Sequence, residues 1–155
     1  MAARSPRGPV RAVQALAERR EWTIASDVQA ITPIVDTVQA LCAAAGFSGR
    51  QCGLNIPVAI TEALSNAILR GNACELARRV HVVVLLDPQR LIVDVTDEGE
   101  GFDLDAAERS PAASDWLERE DGRGLFLMRA LMDEVESRRA DAQRGHTIRL
   151  VLHRA

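Results

Sequence analysis

Three short stretches of this 155-residue chain combine residue types that could hold and react an anionic ligand. The first is Asp97-Glu98-Gly99-Glu100-Gly101-Phe102, which follows the alternating stretch Leu91 to Thr96, so an acidic, glycine-bearing loop hangs from a strand end. Gly99 and Gly101 permit positive φ and a close approach by a ligand, and Asp97 offers a fixed carboxylate acceptor. Alone, the same residues also describe a turn whose Asp caps its own backbone. In the second stretch Glu62 and Asn66 stand four residues apart, stacked on one helical face, with Arg70 a further turn along. Ala59, Ala63 and Ala67 around them are small enough to let another group come close. An Asn supplies an oxygen ligand to Mg²⁺, a cation that keeps most of its waters, and a Glu can orient or deprotonate an attacking hydroxyl. The plain alternative is an exposed helical face. Third, Gly122-Arg123-Gly124 precedes an apolar helical pattern, so unpaired N–H groups and the positive end of a helix dipole would face outward, as a phosphate site requires. A glycine-eased helix start packed under a loop is the other reading.

The elements that carry these stretches follow from periodicity. Trp22 to Ala25 is expected as a first strand; Ile31, Ile34, Val35, Val38, Leu41 and Cys42 recur at helical spacing until Gly46 closes the segment. A second helix is predicted from about Leu54 to Asn72, with Pro57 in its first turn and Ile60, Leu64 and Ile68 as its apolar line. Val80 to Leu86, the turn Asp87 to Arg90 and Leu91 to Thr96 read as a hairpin. Residues 103–121 are small and charged with Pro111 in the middle, which suggests a lid. Leu125, Met128, Leu131, Met132 and Val135 mark a third helix, and Thr147 to Leu152 a last strand after Gly145. Such interleaving predicts a two-layer α/β (α+β) sandwich, a mixed and mainly antiparallel sheet with helices on one face.

Composition narrows the chemistry. All 19 basic residues are Arg. Without Lys there is no Walker A lysine, no strand-borne kinase lysine of the eukaryotic type and no Schiff base. A net charge of −3 gives no reason to expect direct nucleic-acid binding, and the local excess of Arg4, Arg7, Arg11, Arg19 and Arg20 reads as a solvated arm over residues 1–20 ahead of one domain at 21–155. No uninterrupted apolar run approaches the roughly 20 residues of a membrane span and no export signal opens the chain, so a cytoplasmic protein without membrane contact is expected. Cys42, Cys52 and Cys74 are spaced unlike zinc ligands and read as reduced thiols.

Taken together, the three stretches resemble the motif boxes of the GHKL ATPase superfamily, which includes gyrase, heat-shock protein 90, histidine kinases and MutL. Glu62 to Asn72 is similar to its N box, Asp97 to Phe102 to its first glycine box and Gly122 to Met128 to its second. Within it, Met128 to Val135 and Gly145 to Leu150 resemble the bacterial anti-sigma-factor serine/threonine kinases, and the likeness runs from Trp22 to Leu152. The resemblance implies the GHKL (Bergerat) ATP-binding fold, ATP/ADP and Mg²⁺ as cofactors, Asp97 accepting from the adenine amino group and Asn66 as the Mg²⁺ ligand. It implies Glu62 as the base that activates a Ser or Thr hydroxyl, and Arg119 as a lid arginine reaching the γ-phosphate, unless Arg119 is only a solvent-facing lid charge. Gly99, Gly101, Gly122 and Gly124 would shape the nucleotide pocket, with Arg123, Leu125 and Thr147 beside it. Two positions depart from the pattern. Arg70 stands where His is frequent and either adds a γ-phosphate contact or points to solvent; His146 stands where a small hydroxyl residue is usual.

The function so implied is an ATP-dependent serine/threonine protein kinase and anti-sigma factor in transcription regulation. It would phosphorylate a STAS-domain anti-sigma-factor antagonist and alternately hold a sigma factor, with room left for a homodimer. A nucleotide-gated binding module with little or no transfer chemistry would use the same pocket. A histidine-kinase catalytic domain fits less well, since no dimerisation helix pair with a phosphoacceptor His is present in the sequence.

Overall fold

The computed structural model describes residues 17–99, 120–139 and 145–155, with the backbone alone at 120–122. Strand β1 spans Glu18–Ala25, helix α1 Ile31–Ala44, helix α2 Ile56–Asn66, strands β2 Arg79–Leu86 and β3 Arg90–Asp97, helix α3 Glu120–Leu131, and strands β4 Glu134–Arg139 and β5 His146–His153. The strands form one sheet in the order β1-β2-β3-β5-β4, and each described pairing is antiparallel. The expected two-layer sandwich is therefore realised, with a sheet that is antiparallel throughout its described pairings where a mixed, mainly antiparallel one was expected.

Period-two alternation makes the sheet one-sided. Val80, Val82, Val84 and Leu86 of β2 point the same way as Leu91, Val93 and Val95 of β3 and as Ile148, Leu150 and Leu152 of β5, and all are buried. The intervening residues form the other face. There Asp94 accepts two hydrogen bonds from Arg149, at 2.8 and 2.7 Å, and Thr96 shares one with Thr147 at 2.8 Å.

On the apolar face lie the helices. Helix α1 buries Ile31, Ile34, Val35, Val38 and Cys42 and is closed by Gly46 at φ +88°, a left-handed position that favours glycine. Helix α2 has Pro57 in its first turn and is continuous with π-helical turns at Gln51–Asn55 before it and Ala67–Gly71 after it. The resulting stretch Gln51–Gly71 is long and apolar enough to cross a membrane by length and composition. Its apolar line is already used: Ile56, Ile60, Leu64 and Ile68 are fully buried in the core, while the polar Glu62, Asn66 and Arg70 occupy another face.

The sequence reading is corrected at both ends of α3. That helix begins at Glu120, so Gly122-Arg123-Gly124 lies in its opening turns instead of preceding it, and Glu120 and Asp121 belong to the helix and not to a lid. It ends at Leu131, and Val135 sits on β4, opposite Leu150. Strand β4 escaped notice because an edge strand tolerates charge; Glu-Val-Glu-Ser-Arg-Arg needs only Val135 to face inward. Asn55 accounts for the helix end by donating to the Leu131 carbonyl at 2.7 Å. At the other edge, β1 reaches back to Glu18, so Arg19 and Arg20 are strand residues paired with Glu21 and Glu18. Cys42, Cys52 and Cys74 are free thiols, and burial pushes Cys42 up to about 12, which keeps it protonated and unreactive. Residues 1–16, Gly101, Arg119 and the remainder of the expected lid lie outside the described residues.

Candidate functional site

Helices α2 and α3 pack against each other, and their contact is built around an absent side chain. A Cβ on Gly124 would stand 2.7 Å from Glu62 Oε2 and 3.5 Å from Asn66 Nδ2. A methyl there would displace the Glu62 carboxylate, so glycine lets that carboxylate stand where it does against the opening of α3. An open cavity of about 640 Å³ lies there, lined by Glu62, Ser65, Asn66, Leu69, Arg70, Arg123, Gly124 and Leu127. The one-turn spacing read from the sequence thus puts Glu62 and Asn66 in one cavity wall, which Arg70 and Arg123 also line. Arg70, left between phosphate contact and solvent by the sequence, is exposed and lines the cavity; Arg123 is exposed and does the same.

Asn66 is 7% exposed, and its Nδ2 has no hydrogen-bond partner among the described residues. Native folds rarely leave a buried amide group unpaired, and one set in a cavity wall is suited to a ligand that completes it. That Nδ2 is a donor and suits a phosphate oxygen, whereas Oδ1 of the same amide is the atom that could ligate a cation; with a carboxylate beside it and arginines for anionic oxygens, the residues fit a metal–phosphate group. Among the described residues no cluster of three or more His, Cys, Asp or Glu is placed to hold a metal ion unaided, so a cation here would share its shell with ligand oxygens and water.

Asp97 ends β3, 5% exposed, outside the lining of that cavity and beside the last turn of the α2 stretch. Burial pushes its carboxyl up to about 6; the N–H of Gly99, 3.0 Å from Oδ1, pulls the other way, as do the field of Arg78 and the backbone N–H of His146. Because the folded value lies above the ordinary 3.8, the folded chain holds a proton that the unfolded chain has released between those pH values. Stability should therefore decline as pH rises from about 4 to about 6, by roughly 2 to 3 kcal/mol. Urea unfolding of wild type and Asp97→Asn checks this. The variant should gain on wild type across that range, and a constant difference would show that Asp97 titrates normally.

Leu125 is buried in the core beside the cavity. Thr147, expected near the nucleotide, is instead on the far face of the sheet with its hydroxyl engaged by Thr96. His146 faces inward opposite Asp97, and its Nε2 meets the Ser137 hydroxyl. Ser65, Leu69 and Leu127 line the cavity without having been singled out in the sequence; their spacing from Glu62 and Gly124 along the two helices was the available signal.

The family described as the histidine kinase-like ATPase domain matches residues 24–152, and the chain belongs to it. Among curated relatives, the serine-protein kinase RsbW of Halalkalibacterium halodurans is 33% identical over 87 residues, 53% of this chain and 52% of that protein. The anti-sigma F factor of Bacillus subtilis is 34% identical over 100 residues, 63% of this chain and 67% of that protein. The chain thus spans about half the length of the first of these relatives and two thirds of the second. A solved structure, the mycobacterial sensor histidine kinase MprB, aligns at 23% identity and a TM-score of 0.48 over 64% of this chain and 72% of that one, a likeness too loose to carry an argument.

Proposed function

We propose that the chain is a cytoplasmic, ATP-dependent serine/threonine protein kinase and anti-sigma factor, phosphorylating a STAS-type antagonist and binding a sigma factor in alternation with it. The observation that carries the proposal is the packing of Gly124 against Glu62 and Asn66 across the arginine-lined cavity, in a chain of the histidine kinase-like ATPase family. Relatives named serine-protein kinase and anti-sigma F factor support the choice of a hydroxyl acceptor and of a sigma factor as partner.

In this reading the acceptor hydroxyl of the antagonist enters beside Glu62. Its oxygen attacks the γ-phosphorus, the bond from that phosphorus to the β,γ-bridging oxygen breaks, ADP leaves, and the hydroxyl proton passes to the Glu62 carboxylate. Arg123 and Arg70 face the phosphate oxygens, where guanidinium groups offset charge that spreads during transfer. The N–H groups opening α3 add the positive end of a helix dipole. Asn66 would hold Mg²⁺, which when bound neutralises phosphate charge. Asp97 reads the adenine amino group.

Partner exchange tests the biological half. With ATP and Mg²⁺ present, the chain should co-elute with its sigma factor in size-exclusion chromatography. Unphosphorylated antagonist should displace that factor, and antagonist already phosphorylated on its acceptor residue should not. Failure of the unphosphorylated antagonist to release the sigma factor would sink the switching role.

A further inference from the structure

The corner that ends the α2 stretch touches each of three successive residues of the first glycine box. Gly71 presents its bare Cα to Asp97, and a Cβ there would run into the carboxylate, with Oδ2 as the nearest atom. The Gly71 carbonyl lies directly against Gly99, so closely that Gly99 too has no room for a Cβ. Asn72, fully buried, accepts from the Glu98 N–H at 2.9 Å through Oδ1. Its Nδ2 donates at 2.9 Å to both the Ser26 hydroxyl and the Arg79 carbonyl. Ser26, 4% exposed, in turn donates to the Arg78 carbonyl at 2.7 Å. Thus one amide ties the end of α2 to the end of β1, the start of β2 and the loop after β3, and every polar atom of that amide is engaged.

We infer that the Gly71–Asn72 corner is a positioning element that fixes where the Asp97 carboxylate stands and thereby sets recognition of the base. The corner acts through the loop, by contacts with Asp97, Glu98 and Gly99. Asp97 is held from behind by Gly71, from the chain on its C-terminal side by Asn72 through Glu98, and by its own bond from Gly99. A carboxylate discriminates between 6-amino and 6-oxo purines only if its acceptor oxygen is held in place, since an unheld one can rotate or take up water instead. The inference rests on reading Asp97 as the adenine contact.

The test compares binding of ATP with that of inosine triphosphate, which carries a 6-oxo group where ATP has the amino group. Calorimetry with Mg²⁺ would use the full chain, Asn72→Ala and Gly71→Ala. Wild type should prefer ATP by roughly tenfold or more, the scale of one charge-assisted hydrogen bond. Both variants should bring that ratio close to one while leaving affinity for inosine triphosphate within about threefold, because the phosphate side of the site lies elsewhere. Should Asn72→Ala fail to fold, Gly71→Ala carries the test: alanine suits a helical turn, and the three nearest atoms to its methyl all belong to Asp97. Variants that keep the wild-type ratio, or that lose both nucleotides equally, overturn the positioning role. A wild type without preference overturns the reading of Asp97 itself.

Discussion

Replacing Glu62 by Ala is expected to slow phosphoryl transfer by roughly 10²- to 10⁴-fold, the usual contribution of a positioned general base. Affinity for ATP should stay within about twofold, since in the proposed mechanism the carboxylate acts on the acceptor hydroxyl and not on the nucleotide. Quench-flow single-turnover kinetics beside equilibrium ATP binding separates the two effects. The geometry gives a reason to expect so clean a division. Glu62 is held on a helix between the core and Gly124, and Gly124 leaves its carboxylate 2.7 Å from where a methyl would be. Loss of ATP binding together with transfer would assign Glu62 to the nucleotide. Transfer at the wild-type rate would remove it from the chemistry.

Asp97→Ala should act on the opposite side of the ledger, weakening ATP by roughly ten- to a hundredfold because a buried acceptor for the base amino group is gone. In the wild type the same contact should be pH-dependent. Burial has already pushed the Asp97 carboxyl up to about 6, so acidification through that value protonates it and removes the acceptor. ATP binding should therefore weaken as pH falls below about 6 and release a proton on association near that value, an effect seen in calorimetry as a dependence of the apparent enthalpy on the buffer. Asp97→Asn should lose that proton release. A wild type whose ATP affinity is flat from pH 5 to 7.5 would mean that the base is read by another group.

Much of this was legible in the residues. Alternation in Val80 to Leu86 and Leu91 to Thr96 gave the central hairpin, and the i, i+4 pair Glu62 and Asn66 does share one cavity wall. Two kinds of feature were hidden. Strand β4 was read as the tail of a helix because an edge strand needs only one apolar residue, and Val135 also fitted the helical spacing of Met128 and Met132. The start of α3 was placed late for a related reason: glycine is a poor helix former, so Gly122 and Gly124 looked like a boundary. In the fold Gly124 is inside the helix, and its cost in propensity accompanies the close approach to Glu62. Side-chain networks were the second kind. Asn72 is one Asn after one Gly at a helix end, the pattern of an ordinary cap, and nothing local says that Ser26, Arg79 and Glu98 converge on it. Thr147 shows the converse, since a strand position near the site still turned its hydroxyl to the other face.

The central claim is that the nucleotide held by this chain is spent on a hydroxyl. It is tested most directly by incubating the chain with [γ-³²P]ATP, Mg²⁺ and its STAS-type antagonist and following label on the antagonist. Acid-stable label on a single Ser or Thr is expected, dependent on Mg²⁺ and lost in Glu62→Ala. A chain that binds ATP with Mg²⁺ yet never labels the antagonist would contradict it.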